Sequence, residues 1–201
     1  MPAQPKRVVL ASASPRRKEI LQRMGVSFDV LPSDVDESKI RSPFARVLVK
    51  KLALAKADTV ARECKDAVVV SADTLVVKGF CELGKPKDRQ DAIDMLCRLN
   101  GKWHSVYTGV CVAFDGKKKT FCVRSKVKFK NLSQKEIQDY VDECKPFDKA
   151  GAYGIQDERI VEKYKGSYTN VVGLPKEKLA KALLQAGVEN GNDRAFNRFG
   201  K

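Results

Sequence analysis

The chain opens on alternating apolar and amphipathic segments, which predict strands that lead into helices. Val8, Val9 and Leu10 form an uninterrupted apolar run and predict a buried strand. Ser14 then fits the N-cap of a helix, and Pro15 fits its first position, where a missing N–H costs nothing. The apolar face of this helix is predicted to consist of Ile20, Leu21 and Met24, with Gly25 ending it.

The same alternation continues to the C-terminal region. In order, it predicts a strand at 27–31, a helix at 43–64, a strand at 67–77, a helix at 88–99, strands at 106–114 and 121–129, a helix from 133 to about 144, a strand at 159–164 and a helix from 175 to 187. No repeat or linker is visible, so the pattern favours one compact unit. The polar segment 188–201 is predicted to be a disordered tail.

The strand at 67–77 contains a charged residue, Asp73, between β-branched runs typical of a sheet buried on both faces. A carboxylate there is costly unless it is paired, hydrogen-bonded or bound to metal. Two interpretations stay open for Asp73. It is either a hydrogen-bonded residue at a strand end or a catalytic or metal-binding group.

Two arginines, Arg16 and Arg17, follow Pro15 directly. They occupy the first helical turn, where the helix dipole and the unpaired N–H groups disfavour cations. An anion at this helix end would compensate, since backbone N–H groups and guanidinium groups together form a phosphate site. A solvated basic turn is the alternative.

Composition adds an electrostatic constraint. The net charge is +14 and the pI is about 9.6, so an anionic partner or substrate is expected. The few aromatic residues are not interleaved with the basic ones, which argues against a nucleic-acid stacking platform. No apolar stretch approaches a membrane span and no leader is apparent, which predicts a cytoplasmic protein without a membrane partner.

Other polar positions have modest expectations. Six cysteines without a CxxC pair suit reduced, buried thiols. His104 has no nucleophile partner and is interpreted as structural. The three lysines 117–119 are predicted to form a solvated hairpin tip, and the acidic loop that contains Glu37 is either solvated or near a cation. Lys85, between a glycine and a proline, has a restricted backbone, as a phosphate-directed lysine would.

Four separated stretches carry a family resemblance. They are LASASPRR at 10–17, SADT at 71–74 with GKP at 84–86, DKAGAYGIQ at 148–156 and GSYTNVVGLP at 166–175. In this order and spacing they resemble the Maf family of septum-formation-inhibitor-like nucleotide pyrophosphatases. The resemblance covers about residues 7–187, which are expected to form a single domain.

The resemblance implies an α/β fold with an elongated mixed sheet, flanking helices and two lobes around a cleft, similar to the inosine triphosphatase-like (Maf/Ham1) fold. It implies hydrolysis of a nucleoside triphosphate to the monophosphate and pyrophosphate with a divalent cation, Mg²⁺ or Mn²⁺. It also implies a homodimer, a role in cleansing nucleotide pools and a link to cell-division arrest. No stable nucleic-acid partner is expected.

The resemblance also assigns residue roles. Asp73 matches the catalytic acid, and Asp73 and Glu37 match metal-site positions. The positions that match substrate contacts are Ser12, Arg16, Arg17, Lys56, Thr74, Lys85 and Gln156. This set is similar to the subgroup that acts on dTTP, UTP and modified uridine triphosphates, and the amide of Gln156 suits the acceptor and donor edge of uracil and thymine.

Two rival hypotheses remain from the sequence. One keeps the reaction but changes the base, giving a purine-type or 7-methyl-GTP pyrophosphatase. The other is a non-enzymatic division regulator that binds nucleic acid, supported by the charge of +14. Salt-dependent nucleic-acid binding without pyrophosphate release would favour the second.

Overall fold

The computed structural model describes residues 6–188. The strands are β1 (Val8–Leu10), β2 (Asp29–Val30), β3 (Val68–Lys78), β4 (Cys81–Leu83), β5 (Trp103–Phe114), β6 (Lys117–Phe129) and β7 (Val161–Lys165). The helices are α1 (Pro15–Arg23), α2 (Ala45–Glu63), α3 (Arg89–Leu99), α4 (Gln134–Cys144), α5 (Tyr168–Val172) and α6 (Lys176–Gln185). Apart from Val188, which is buried, the predicted tail lies outside the described residues.

The strands form one mixed sheet, which confirms the predicted α/β class. Its order is β2-β1-β3-β5-β6-β7, and β4 pairs with the end of β3. β1 runs parallel to both β2 and β3, whereas β3 with β4 and β6 with β7 are antiparallel pairs. A tight turn joins β5 to β6 through Asp115 and Gly116, both at positive φ, as a type I′ two-residue hairpin requires.

The chain divides into two compact units. Of the described residues, unit 1 contains 6–73, 108–123 and 173–188, and unit 2 contains 74–107 and 124–172. β3, β5 and β6 each contribute residues to both units, which explains why the sequence shows no linker. One core cluster of unit 1 is rich in valine and alanine, and α3 and α4 supply much of the aliphatic and aromatic core of unit 2.

Several local predictions need correction. The lysines 117–119 belong to β6 rather than to a turn, and Lys118 pairs with Asp58 at 2.6 Å. β2 is only two residues long, and the short helix α5 was not predicted. All six thiols are free as expected, yet only Cys111 is buried and Cys97 is exposed. Among residues 6–188, no helix has the length and apolarity to cross a membrane.

Helix α2 packs unusually closely on the sheet of unit 1. A Cβ added to Gly109 in β5 would lie 2.2 Å from the Val49 carbonyl oxygen. Ala53 and Ala57, both buried, continue this small-residue contact along the helix. The Ser71 hydroxyl in β3 donates to the Ala53 carbonyl at 2.5 Å. Glycine at 109 is therefore required by space rather than by backbone conformation.

His104 is a structural residue of unit 2, as predicted. Its Nε2 lies 2.8 Å from the Tyr153 hydroxyl. Its ring packs against the Phe129 ring in a T-shaped arrangement, with a distance of 4.8 Å between the ring centroids. Burial lowers the pKa of His104 to about 4, and the Lys78 charge adds to this. The imidazole is therefore neutral in the folded protein at neutral pH.

Gly109→Ala should destabilise the protein by about 2 kcal/mol or more, because the new methyl group meets rigid helix backbone. Urea unfolding at neutral pH measures this. Gly84→Ala is the matched control, since a Cβ there meets nothing within 4 Å. Equal stability of the two variants would contradict the close approach of α2.

His104 should weaken the fold in acid. The unfolded histidine takes a proton near pH 6.5, whereas the folded one does so only near pH 4, so stability falls as pH drops between these values. The difference in unfolding free energy between wild type and His104→Gln should shrink by about 3 kcal/mol from pH 7 to pH 4. Parallel pH curves for the two proteins would refute this assignment.

Candidate active site

The carboxylate of Asp73 forms an ion pair with Lys56 of α2. Lys56 Nζ lies 2.7 Å from Asp73 Oδ1, and the two side chains are only 11% and 13% exposed. The same nitrogen lies 2.8 Å from Glu37 Oε1. The partner that the sequence required for Asp73 is therefore a lysine, shared with a second carboxylate.

The packing of α2 explains why Lys56 is the lysine that reaches Asp73. Ser71 and Asp73 alternate on β3 and so face the same side of the sheet. Ala53 and Lys56 lie three residues apart on α2 and so share one helix face. The hydrogen bond from Ser71 to Ala53 therefore places Lys56 over Asp73. Lys50 and Lys51 lie on other turns.

Glu37 reaches Lys56 from a short 3₁₀ turn, Glu37–Lys39. Asp36 caps this turn, because its carboxylate accepts the Ser38 backbone N–H at 3.1 Å. The Glu37 side chain is 53% exposed, so its charge meets both solvent and the buried ammonium. Of the two sequence alternatives for the acidic loop, the cation contact is the observed one.

Arg17 turns inward from the first turn of α1. Its Nη1 donates to the Ser12 hydroxyl at 2.9 Å, and its Nε donates to the Gly173 carbonyl at 3.0 Å. Burial lowers the pKa of Arg17, while the charge of Asp73 opposes this. The half-buried Arg16 directly precedes Arg17 in the same turn. Protein oxygens thus offset part of the cost of placing a cation at this helix start.

In unit 2, two loops hold the other predicted residues. The Gly151 N–H donates to the Gly84 carbonyl at 2.9 Å, which ties the loop of Lys85 to the loop that leads to Gln156. The side chains of Lys85 and Gln156 are both exposed. Thr74 is half-buried on β3, directly after Asp73.

Two glycines, Gly151 and Gly154, lie in the loop that leads to Gln156, and each is in close contact with a different side chain. Gly151 has φ +70°, and a Cβ there would lie 3.1 Å from the Val76 methyl groups. A Cβ at Gly154 would lie 2.7 to 2.9 Å from the amide of Gln156. The Gln156 amide therefore lies against the Cα of Gly154, and any larger residue there would displace it.

The carboxylates Asp73 and Glu37 suit a magnesium-type ion. Within residues 6–188, no group of three or more His, Cys, Asp or Glu side chains is placed to hold a metal ion. Magnesium, however, is usually bound by one or two carboxylates, water and substrate phosphates. Two carboxylates that already converge on one ammonium group have the charge and the oxygen donors for this role.

Sequence reasoning missed one contact of the site, the Gly173 carbonyl. This carbonyl accepts a hydrogen bond from the guanidinium group of Arg17, which lies 156 residues earlier in the sequence. The GSYTNVVGLP stretch drew attention to this region, but a backbone carbonyl has no signature in a sequence. Gly173 has φ +121°, a conformation that indicates why glycine is needed there.

The chain is similar to known proteins over most of its length. A family profile described as "Maf-like protein" matches residues 7–186. A dTTP/UTP pyrophosphatase of Thermosipho africanus is 43% identical over 194 residues, which cover 96% of this chain and 100% of that protein. A dTTP/UTP pyrophosphatase of Aquifex aeolicus is 48% identical over 190 residues, 92% of this chain and 98% of that protein.

A more distant similarity is found among solved structures. The Ham1 protein of Staphylococcus aureus aligns with a TM-score of 0.46 at 14% identity, over 62% of this chain and 72% of that one. The family profile and the relatives both span nearly the whole chain. The chain therefore belongs to the family of Maf-like proteins.

Proposed function

We propose that the chain is a nucleoside triphosphate pyrophosphatase that hydrolyses dTTP and UTP, with modified uridine triphosphates, to the monophosphate and pyrophosphate. Family membership and the relatives named dTTP/UTP pyrophosphatase support the reaction. The observation that carries it is the Lys56 ammonium between Asp73 and Glu37, because it combines phosphate-binding and water-activating groups in one place.

The cations suit a triphosphate. A nucleoside triphosphate carries about four negative charges, and loose phosphoryl transition states are stabilised chiefly by positioned cations and N–H donors. Arg16 and Arg17 lie at the start of α1, where the helix N–H groups also favour phosphate. Lys56 and Lys85 are the proposed lysine contacts, and Ser12 fixes Arg17.

Asp73 and Glu37 are the residues that would hold a divalent cation. Mg²⁺ or Mn²⁺ supplies charge neutralisation at the phosphate oxygens and a lower pKa for bound water. The Lys56 ammonium has three N–H donors. With two directed at Asp73 and Glu37, the third can donate to a phosphate oxygen and so place the anion beside both carboxylates.

Asp73 is the proposed general base. Its carboxylate orients a water molecule and accepts its proton while the water oxygen bonds to the α phosphorus. The bond between that phosphorus and the bridging oxygen breaks, and pyrophosphate leaves with the electron pair. Thr74, directly after Asp73 on the strand, is proposed to contact the substrate.

Gln156 is the proposed base reader. Its amide can donate to a carbonyl oxygen and accept the N3–H of uracil or thymine. In that orientation of the amide, the amino donor and the unprotonated N3 of cytosine leave both amide atoms mismatched. The amide lies against Gly154, so a larger side chain at that position would displace it.

The rival purine-type and 7-methyl-GTP substrates have no observation in their favour here. A panel of dTTP, UTP, CTP, GTP, ITP and 7-methyl-GTP with Mg²⁺ or Mn²⁺ tests the choice by pyrophosphate release. Release from dTTP and UTP above the others supports the proposal, and release only from purine nucleotides overturns it. The homodimer, the cytoplasmic location and the link to cell division stay predictions.

Asp73→Asn should lower pyrophosphate release from dTTP by about 100-fold or more, because the amide cannot take the proton of water. Asp58→Asn is the matched control, since Asp58 lies on the same helix as Lys56 and pairs with Lys118 of β6. It should keep nearly full activity. A folded Asp73→Asn protein with wild-type turnover would end the catalytic assignment.

Gln156→Ala should reduce the preference for UTP over CTP by about tenfold or more, because the mismatch with cytosine disappears with the amide. The quantity to measure is the ratio of kcat/KM for the two nucleotides. Gln90→Ala is the control, because this exposed glutamine binds Asp94 on α3. An unchanged ratio in Gln156→Ala would assign base choice to other groups.

A further inference from the structure

The sheet of unit 2 has one buried face and one basic face. Val106, Val127 and Phe129 belong to the hydrophobic core. Because strand side chains alternate, the intervening positions of β5 and β6 point away from that core. We call the set Arg124, Lys126, Lys128, Lys163 and Lys165 the lysine face; all of them except the half-buried Lys128 are exposed.

Like charges lie directly opposite each other on the lysine face. In the antiparallel register, Lys126 pairs with Lys165, and Lys128 pairs with Lys163. Cross-strand pairs of like charge are destabilising. Among residues 6–188, Glu162 forms an ion pair with Lys163, but no carboxylate pairs with Lys126 or Lys165. A partner of opposite charge would relieve this repulsion.

Two aromatic rings lie under these cations. Lys165 Nζ is 5.6 Å from the centroid of the Trp103 ring. The Arg124 guanidinium is 5.5 Å from the centroid of the Tyr107 ring, and it also donates to the Ser105 hydroxyl at 2.9 Å. Trp103, Ser105 and Tyr107 alternate along β5, so both rings share the outer face. The structure thus brings together aromatic and basic groups that are separated along the sequence.

The electrostatic field of this region acts on Glu162. The hydrogen bond from Lys163 lowers the pKa of Glu162, and the charges of Lys163, Lys128 and Lys130 act in the same direction. Several lysines therefore favour the ionised form of this exposed carboxylate. Phosphate groups would experience the same attraction.

We propose that the lysine face, with Trp103 and Tyr107, binds single-stranded nucleic acid. Basic groups that follow the backbone beside aromatic rings that stack on bases are the usual features of such surfaces. A second copy of the chain would oppose lysine to lysine. An anionic membrane would use the same charges, but it has no flat bases to stack on the rings.

This surface is separate from the proposed catalytic set in its residues. None of its five basic residues binds Asp73, Glu37 or Lys56 in the structure, and a single triphosphate has no chemistry that requires a row of paired lysines. Nucleic-acid binding would therefore be a further property of the chain, whatever nucleotide it hydrolyses.

Anisotropy of a fluorescent oligo(dA) strand of about 20 nucleotides tests the proposal, with sodium chloride varied from about 50 to 200 mM. Oligo(dA) lacks a triphosphate and the bases assigned to Gln156. The full chain should bind it with an affinity that falls steeply with salt. Lys126→Gln/Lys163→Gln/Lys165→Gln should bind about tenfold more weakly at low salt, with a log–log slope reduced by about 2.

The control removes equal charge elsewhere in unit 2. Lys87→Gln/Lys135→Gln/Lys145→Gln changes three exposed lysines outside the lysine face and should keep the affinity and the salt slope. Lys126→Arg/Lys163→Arg/Lys165→Arg should also keep binding. Pyrophosphate release from dTTP should be unchanged in all three variants, which checks their folding.

Three results would overturn the proposal. One is the absence of salt-dependent binding by the wild-type chain. Another is equal loss in the lysine-face variant and its charge-matched control, which would reduce the effect to net charge. The third is binding to phosphatidylserine vesicles that depends on the lysine face, without binding to oligo(dA), which would identify a lipid surface as the partner.

Discussion

The ion pair between Lys56 and Asp73 is the interaction on which the candidate site depends. Both side chains are largely buried, so each charge has lost most of its hydration. Breaking a buried pair by removing one partner typically costs about 3 to 5 kcal/mol, because the remaining charge stays uncompensated. A ligand that takes one partner must therefore supply a charge to the other. A triphosphate that arrives with a divalent cation supplies both.

This pair can exist only because α2 lies so close to the sheet. The absence of a side chain at Gly109 permits the contact with Val49, and the Ser71 hydroxyl fixes the helix by its Ala53 carbonyl. Packing residues of unit 1 thus set the position of Lys56 relative to Asp73, which follows Ser71 by two residues on β3. Packing and chemistry are coupled here, since a displaced helix would separate Lys56 from both carboxylates.

Much of this arrangement could be predicted from the sequence, because it rests on local pattern. Periodicity located nearly every long element, and the cost of burying a carboxylate showed that Asp73 required a partner. Periodicity alone did not identify that partner, because which lysine of α2 reaches Asp73 depends on where the helix lies on the sheet. That position is set by Gly109 and Ser71. The Arg17 contact with Gly173 was equally hidden, since it joins backbone to side chain across most of the chain.

The positive charge of the chain is of two physical kinds. Lys56 and Arg17 are partly or largely buried and hydrogen-bonded to protein oxygens, so a small anion must compete with defined partners to bind them. Such competition favours one ligand of the right shape and charge. The exposed lysines of β6 and β7 have weaker partners and repel one another across the strand pair. Repulsion of this kind is relieved by any flexible polyanion that lies along the strands, and salt screens both the repulsion and the binding. The net charge alone is equally compatible with either kind of anion. The burial and pairing of the individual cations distinguish the proposed nucleotide site from the proposed surface for a longer phosphate chain.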